Sequence, residues 1–180
     1  FPILEREVNR RKLVYFDSGA TAQKPLTVIN FTDKLYREYN ANIHRGVHHL
    51  SGQMTDMYEA ARERVRRFIG AECREEVVFT AGATASINLV AYAWSERFLR
   101  KGDNVVVSEM EHHSNIVPWQ LACERKGAEL RVLPFDDRGA LRTDMLDELI
   151  DEHTKKVAVT EAPNTLGTLP DFAPLIAKGH

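Results

Sequence analysis

Three short polar segments of this sequence could bind a ligand or transfer a proton. They are Gly82-Ala83-Thr84, Glu111-His112-His113 and Asn164. Backbone amides and a hydroxyl suit a phosphate group, an imidazole can stack on a ring, and a carboxamide can bond a ring hydroxyl or a carboxylate. Together the three segments predict a site for a phosphorylated ligand with an aromatic part.

The first segment lies between an apolar run and an amphipathic helix. The run at residues 77–79 predicts a short buried strand, and Gly82 allows a positive φ in the turn that follows. Thr84 and Ser86 stand where helix caps belong, so free amides, the positive end of the helix dipole and a hydroxyl converge on one point. The segment therefore predicts a phosphate-binding turn, although an ordinary strand–helix turn with Thr84 as a plain cap fits the same pattern. The helical stripe consists of Ile87, Val90, Ala91 and Trp94.

Strand and helix patterns alternate along the rest of the chain. This alternation indicates an α/β fold with a mostly parallel sheet flanked by helices. Ligands in such sheets bind beyond the carboxyl ends of the strands, so we expect the three polar segments on one edge. Strands are predicted at residues 13–16, 104–108, 130–134 and 156–160. Helices are predicted after Pro25, before Gly70, from residue 116 to Gly127, after a cap at Thr143, and around residues 172–176.

The composition is typical of a globular domain with a hydrophobic core. The 180 residues are 43% hydrophobic and 28% charged, and no apolar run approaches the roughly 18 residues of a membrane span. A net charge of −2 gives no electrostatic argument for nucleic acid or an anionic membrane as a partner. Cys73 and Cys123 are too few for a disulfide framework, so we interpret both as structural cysteines of a cytoplasmic protein.

A polar loop contains His44, His48 and His49. Three imidazoles could act as metal ligands, but their spacing differs from zinc motifs such as His-Glu-x-x-His, in which a helix places the ligands on one face. We therefore interpret the loop as solvated or substrate-facing and predict no metal. A metal-binding module is the alternative, and it would require stoichiometric metal in the purified protein.

Five runs of this sequence resemble the cysteine desulfurases of the sulfur-mobilisation type, also known as selenocysteine lyases, in the class V aminotransferase superfamily. The most specific runs are His-Arg-Gly-Val-His at residues 44–48 and the segment at residues 111–120. The resemblance implies the N-terminal part of the large domain of fold-type I pyridoxal-phosphate enzymes. Residues 1–24 would be an N-terminal segment and residues 25–180 a partial cofactor-binding domain. The five runs are residues 16–25, 42–48, 82–84, 111–120 and 164–167.

The resemblance also implies roles for single residues. Thr84 would bind the phosphate of pyridoxal 5'-phosphate, and His112 would stack on its ring and act catalytically in proton transfer. Asn164 would bond the ring oxygen of the cofactor or the carboxylate of the substrate. The cofactor-binding set would be Gly82, Ala83, Thr84, His112 and Asn164, and the substrate-binding set Gly19, Ala20, His44 and Asn164.

The implied activity is the conversion of L-cysteine, or L-selenocysteine, to alanine. The cofactor acts as an electron sink, and an enzyme thiolate takes the sulfur as a persulfide for iron–sulfur cluster assembly. The resemblance implies a homodimer and a sulfur-acceptor protein as partners. The family's cofactor-holding lysine and catalytic cysteine would lie beyond His180, so we expect this 180-residue chain alone to be inactive.

The sequence departs from the family pattern near the predicted site. Ala81 and Ala85 stand where the family usually has Arg and Glu, and Glu161 stands where it commonly has His or Tyr. These departures permit one alternative, a class V relative that acts on another amino acid. A second, non-enzymatic alternative is a degenerate or truncated paralogue that binds a partner or the cofactor without turnover.

Overall fold

A computed structural model describes residues 1–179 and leaves His180 outside the description. The chain divides into two compact units, Phe1–Phe79 and Thr80–His180. The boundary after residue 24 expected from the sequence stays a prediction.

The first unit consists of a hairpin and two long helices. Strands β1 (Glu7–Val8) and β2 (Arg11–Lys12) pair antiparallel through a two-residue turn in which Asn9 and Arg10 have φ of 54° and 63°. Positive φ at both central residues matches the twist of the flanking strands. Helix α1 (Leu26–Glu38) follows Pro25, and helix α2 (His49–Ile69) ends at Gly70, whose φ of 72° closes it in the left-handed conformation. Both helices were predicted.

Two strands expected in this unit do not form. Residues 13–16 lie outside any strand, and the side chains of Val14 and Phe16 are 70% and 95% exposed. Residues 77–79 also lie outside any strand, and only Val77 is buried there. A strand needs a neighbouring strand for its backbone N–H and C=O groups. Among the described residues, the first residue of each segment makes one backbone hydrogen bond, from Leu13 to Arg6 and from Val77 to Arg74, and no strand pairs with either segment.

The second unit is built on a parallel three-stranded sheet. Strand β3 (Asn104–Ser108) lies between β4 (Glu129–Leu133) and β5 (Thr154–Ala158), in the order β4-β3-β5. All five residues of β3 are buried, as expected for the central strand of a sheet covered on both faces. The predicted α/β fold with a parallel sheet is confirmed, with β5 starting two residues earlier than expected.

Helices cover both faces of the sheet. Helices α3 (Ala83–Phe98) and α4 (Val117–Lys126) pack on the face that carries Val105 and Val107. Helices α5 (Leu146–Leu149) and α6 (Ala173–Gly179) pack on the opposite face, against Val106 and Leu133. The predicted cap at Thr143 is wrong: Thr143 opens a 3-10 turn, and Met145 precedes α5.

The ends of α3 and α4 meet beside the first residues of the strands. The amide of Gly102 donates to the carbonyl of Gly127 at 3.1 Å, and Asn104 and Glu129 then begin β3 and β4 in register. Both helices therefore end at the amino edge of the sheet. The 16 residues of α3 span about 24 Å, more than the roughly 17 Å of a five-residue strand, so α3 begins beyond the carboxyl edge. The 10 residues of α4 span about 15 Å, so α4 begins near that edge.

Among residues 1–179, no helix combines the length and the apolar character needed to cross a lipid bilayer.

Candidate functional site

The turn in front of α3 is held by hydrogen bonds between its own residues. The hydroxyl oxygens of Thr80 and Ser86 lie 2.6 Å apart, and the amide of Gly82 donates to Thr80 Oγ1 at 3.3 Å. Gly82 has φ 137° and ψ 176°, a region that is essentially restricted to glycine. Gly82 is itself the N-cap, without a side-chain cap, so the prediction of Thr84 and Ser86 as caps is wrong. The helix begins earlier because this backbone lets it start directly after the glycine.

The first amides of α3 are free to bind a ligand. The first helical hydrogen bond runs from the Ser86 amide to the Gly82 carbonyl at 3.0 Å. The amides of Ala83, Thr84 and Ala85 precede it and have no carbonyl within the helix to bond. Thr84 is exposed and adds a hydroxyl at the second helical position. Three amides, one hydroxyl and the positive end of a 16-residue helix fit a phosphate group.

His112 is fixed by the backbone that follows it. Its Nδ1 accepts the amide N–H of Ser114 at 3.1 Å and lies 2.9 Å from the hydroxyl of Ser114. This partner assigns the proton of the neutral ring to Nε2. The ring is exposed and meets the ring of His113 edge-on, with centroids 6.3 Å apart. The imidazole can therefore face a ligand with Nε2 available for a proton.

Asn164 lies in a turn after β5. The amide of Gly167 donates to the carbonyl of Pro163 at 2.8 Å and closes this turn. Asn164 is exposed there, and its carboxamide makes no hydrogen bond within residues 1–179. The side chain is therefore available to a ligand.

Glu111 joins the two strand ends that lead to His112 and Asn164. It is only 8% exposed. Its Oε1 accepts from the Ser108 hydroxyl at 2.6 Å and from the Thr160 amide at 2.6 Å. Sequence reasoning did not assign it a role, although a carboxylate three residues after a buried strand, with an Asn four residues further on, was a usable signal.

The structure brings the three segments of the second unit to one edge. β3 and β5 are adjacent and parallel, so the segments after them, with His112 and Asn164, leave the sheet on the same side. Helix α3, with Thr84 in its first turn, also begins there. This is the arrangement expected for an open parallel sheet, and the roles of the single residues stay predictions.

The other predicted site residues belong to the first unit. His44 has φ 66°, and its amide donates to Thr55 Oγ1 at 2.9 Å. Its ring meets Tyr58 edge-on with centroids 5.5 Å apart, and Nε2 lies 3.5 Å from Glu59 Oε1. A left-handed non-glycine residue held this way is typical of a functional position. Glu59 was not predicted.

Gly19 and Ala20 lie in an exposed turn of the first unit. The amides of Ala20 and Thr21 donate to the carbonyl of Asp17 at 3.2 and 3.0 Å, and the Tyr15 hydroxyl donates to the Thr21 carbonyl at 2.7 Å. No hydrogen bond joins this turn to His44 within the described part of the chain.

Of the cysteines and histidines within residues 1–179, Cys123 is unsuited to act as a nucleophile, and no grouping is suited to a metal centre. Burial raises the pKa of the Cys123 thiol to about 11, so this thiol is protonated at neutral pH and is unsuited to attack sulfur. Cys73 is exposed and lies 3.5 Å from Glu76 Oε1. Within residues 1–179, no three His, Cys, Asp or Glu side chains are grouped so that they could hold a metal ion.

Sequence comparison relates this chain to one enzyme family. Residues 14–180 match the family described as aminotransferase class-V. A curated cysteine desulfurase of Salmonella newport (strain SL254) is 52% identical over 183 residues, which cover 100% of this chain and 45% of that protein. The chain therefore spans less than half the length of the curated relatives it matches.

Solved structures agree with the sequence comparison. The apo cysteine desulfurase of Thermococcus onnurineus NA1 superposes with a TM-score of 0.84 at 38% identity, over 92% of this chain and 41% of that one. The cysteine desulfurase CsdA of Escherichia coli superposes with a TM-score of 0.75 at 37% identity, over 89% of this chain and 40% of that one.

Proposed function

Because the chain belongs to the class V aminotransferase family, we propose that it supplies the phosphate-binding and ring-stacking part of a pyridoxal-phosphate-dependent cysteine desulfurase. The observation that carries this proposal is the first turn of α3. Its free amides and the hydroxyl of Thr84 lie at the sheet edge from which the loop carrying His112 also departs.

The described residues fit the phosphate of pyridoxal 5'-phosphate. The hydroxyls of Thr80 and Ser86 are hydrogen-bonded to each other. The turn therefore keeps its shape without hydrogen bonds from the amides of the first helical residues. The free amides of Ala83, Thr84 and Ala85 and the Thr84 hydroxyl would hold the phosphate dianion, which the helix dipole favours. Gly82, expected among the cofactor contacts, donates its amide to Thr80 Oγ1 and would instead shape the turn. When bound, the cofactor supplies an electron sink for the substrate amino acid.

His112 would contact the cofactor ring and move a proton through Nε2. The bond from the Ser114 amide occupies Nδ1 and leaves Nε2 for this task. Asn164, whose carboxamide is free within the described residues, would orient the ring oxygen of the cofactor or the carboxylate of the substrate.

The substrate and the partners are proposed on the same basis. We expect L-cysteine, or L-selenocysteine, with Gly19, Ala20 and His44 as further substrate contacts. A homodimer, a sulfur-acceptor protein, service to iron–sulfur cluster assembly and a cytoplasmic location complete the proposal. Two free cysteines are compatible with a reducing compartment.

The test is cofactor content and turnover of the full-length protein. We expect an absorption band of bound pyridoxal phosphate, a pyridoxyl adduct in the intact mass after borohydride reduction, and alanine release that depends on L-cysteine. Faster turnover of another amino acid would reject L-cysteine and L-selenocysteine as the proposed substrates. Absence of the cofactor and its adduct would reject the enzyme class.

The 180-residue chain is the matched comparison for that test. We expect it to release no alanine from L-cysteine in the presence of pyridoxal phosphate. Release of alanine by the isolated chain would show that the machinery is complete within it and would contradict the proposed division of roles.

A further inference from the structure

Glu111 is the most fully bonded carboxylate at the carboxyl edge of the sheet. Its Oε1 accepts from the Ser108 hydroxyl and from the Thr160 amide, both at 2.6 Å. Its Oε2 accepts from the side-chain amide of Asn115 at 2.8 Å. With 8% of its surface exposed, this side chain has little access to water, so these donors replace its hydration.

The donors come from different elements. Ser108 is the last residue of β3, Thr160 follows the end of β5, and Asn115 closes the 3-10 turn His113–Asn115. Asn115 extends the network, because its Nδ2 also donates to the Ala158 carbonyl at 3.3 Å and its Oδ1 accepts the indole N–H of Trp119 at 3.0 Å. One carboxylate thus connects two strands, the turn and α4.

His112 lies between the two ends of this network. Glu111 precedes it directly, and Asn115 follows it three residues later, with an amide that donates to the His112 carbonyl at 2.7 Å. The ring of His112 is bonded to Ser114 inside the same turn. Any shift of the turn relative to the strands therefore moves the imidazole with it.

The network requires a carboxylate at position 111. All its partners are donors, and only a carboxylate accepts with both oxygens. A glutamine would point its own NH₂ group at Asn115 Nδ2. Asn115 cannot adapt by rotating its amide, because its oxygen is needed by the indole N–H of Trp119.

We propose that Glu111 is the positioning residue of the site: it ties the His112 turn to the ends of β3 and β5 and so fixes the imidazole against the cofactor ring. This inference rests on the proposed function for the chemistry of His112 and on the described contacts for the network itself. Misplacement of a catalytic group by about 1 Å can cost about 100-fold in rate.

The test compares Glu111→Gln with Glu109→Gln in the full-length protein. Glu109 is exposed and lies two residues away, so it is a matched control. For Glu111→Gln we expect a fall in kcat of about 100-fold with a much smaller change in KM for cysteine, and a shifted absorption band of the bound cofactor. For Glu109→Gln we expect neither change.

A second readout needs neither cofactor nor turnover. In ¹⁵N-labelled full-length apoprotein, the Trp119→Phe variant identifies the indole N–H signal of Trp119 as the one that disappears. In Glu111→Gln the Trp119 signal should shift because Asn115 loses its partner, whereas in Glu109→Gln it should stay in place.

The outcomes separate a positioning role from a structural one. A lower melting temperature with an unchanged cofactor band and an unchanged kcat would overturn the proposal, as would an unchanged indole signal. If Glu111→Gln does not fold, Ser108→Ala is the substitute, because it removes one hydrogen-bond donor to Glu111. A shifted cofactor band, a lower kcat and a shifted Trp119 indole signal in this variant would support the proposal, and unchanged values would overturn it. A wild-type protein without cofactor would reject the proposed function, whereas the indole signal tests the network on its own.

Discussion

The hydroxyl oxygens of Thr80 and Ser86 lie 2.6 Å apart across the turn that precedes α3. This contact satisfies the polar side chains of the turn without using the amides of Ala83, Thr84 and Ala85. The turn is therefore shaped before any ligand binds, and an anion that enters meets amides already pointing outward from the helix end. Preorganisation of this kind lowers the cost of ordering on binding.

Replacement of Thr84 by alanine should weaken cofactor binding. The variant lacks the hydroxyl and so loses one hydrogen bond to the charged phosphate. Such a bond contributes about 1.5–3 kcal/mol to the binding free energy, or roughly 10- to 100-fold in affinity. The measurement is a spectroscopic titration of full-length apoprotein with pyridoxal phosphate. Thr32→Ala is the control, since the Thr32 hydroxyl bonds only its own helix. Equal affinity of both variants would contradict the role of Thr84.

Replacement of Gly82 by alanine should destabilise the protein. At φ 137° and ψ 176° a Cβ atom strains the backbone by about 1–3 kcal/mol, although it would meet no neighbouring atom within 4 Å. The opposite result is expected for Gly52→Ala inside α2, where alanine should raise the free energy of unfolding by about 0.5–1 kcal/mol. Urea unfolding of both variants measures these changes, and a neutral Gly82→Ala would show that the turn tolerates another conformation.

Replacement of His112 by alanine should lower turnover with little effect on folding. Loss of a general acid–base group costs about 10²- to 10⁴-fold in kcat. His113→Ala is the neighbouring control, because the His113 side chain makes no hydrogen bond within the described residues. The measurement is steady-state alanine release by the full-length protein. Similar losses in both variants would argue that the effect arises from the turn as a whole.

Asp151 should stabilise the second unit at neutral pH and lose this effect in acid. Arg131 donates to Asp151 Oδ2 at 2.8 Å. This bond lowers the pKa of the carboxyl below its ordinary value of 3.8, and a hydrogen bond from Asn104 lowers it further by a smaller amount. A lowered pKa means that the folded state binds the proton more weakly. The stabilisation is therefore present above pH 3.8 and is lost as the pH falls through the folded-state value.

Asp151→Asn tests this dependence by denaturant unfolding at several pH values. The variant should be less stable than the wild type at pH 7, and the difference should narrow below pH 4. Asp33→Asn serves as the control, because its partner Arg37 lies on the exposed surface of α1, where ion pairs contribute little. A difference between wild type and Asp151→Asn that is independent of pH would contradict an ionic origin.

The sequence predicted the elements whose signals are local. The apolar run of β3, the glycine that ends α4 and the sharing of one sheet edge by Thr84, His112 and Asn164 follow from periodicity, turn chemistry and the rules of parallel sheets. Residues 77–79 look like a strand by composition, but a strand also requires a pairing partner, which composition does not specify.

The remaining features depend on tertiary distances. Glu111 and Thr160 are separated by 49 positions, so no local pattern predicts that one bonds the other. The same holds for His44 and Glu59, which meet only because a left-handed residue turns the chain back along α2. Gly82 became the N-cap because its unusual φ ended the turn earlier than the hydroxyl pattern suggested.

The hydrogen bond between Glu111 and Thr160 encloses the chain segment that forms α4, β4 and α5. Closing so long a loop costs conformational entropy, so we expect this bond to form late in folding, after those elements have docked. Interactions made late in folding are absent from the transition state, and their loss speeds unfolding more than it slows folding. We therefore expect loss of the Glu111–Thr160 bond to speed unfolding of the second unit more than it slows folding.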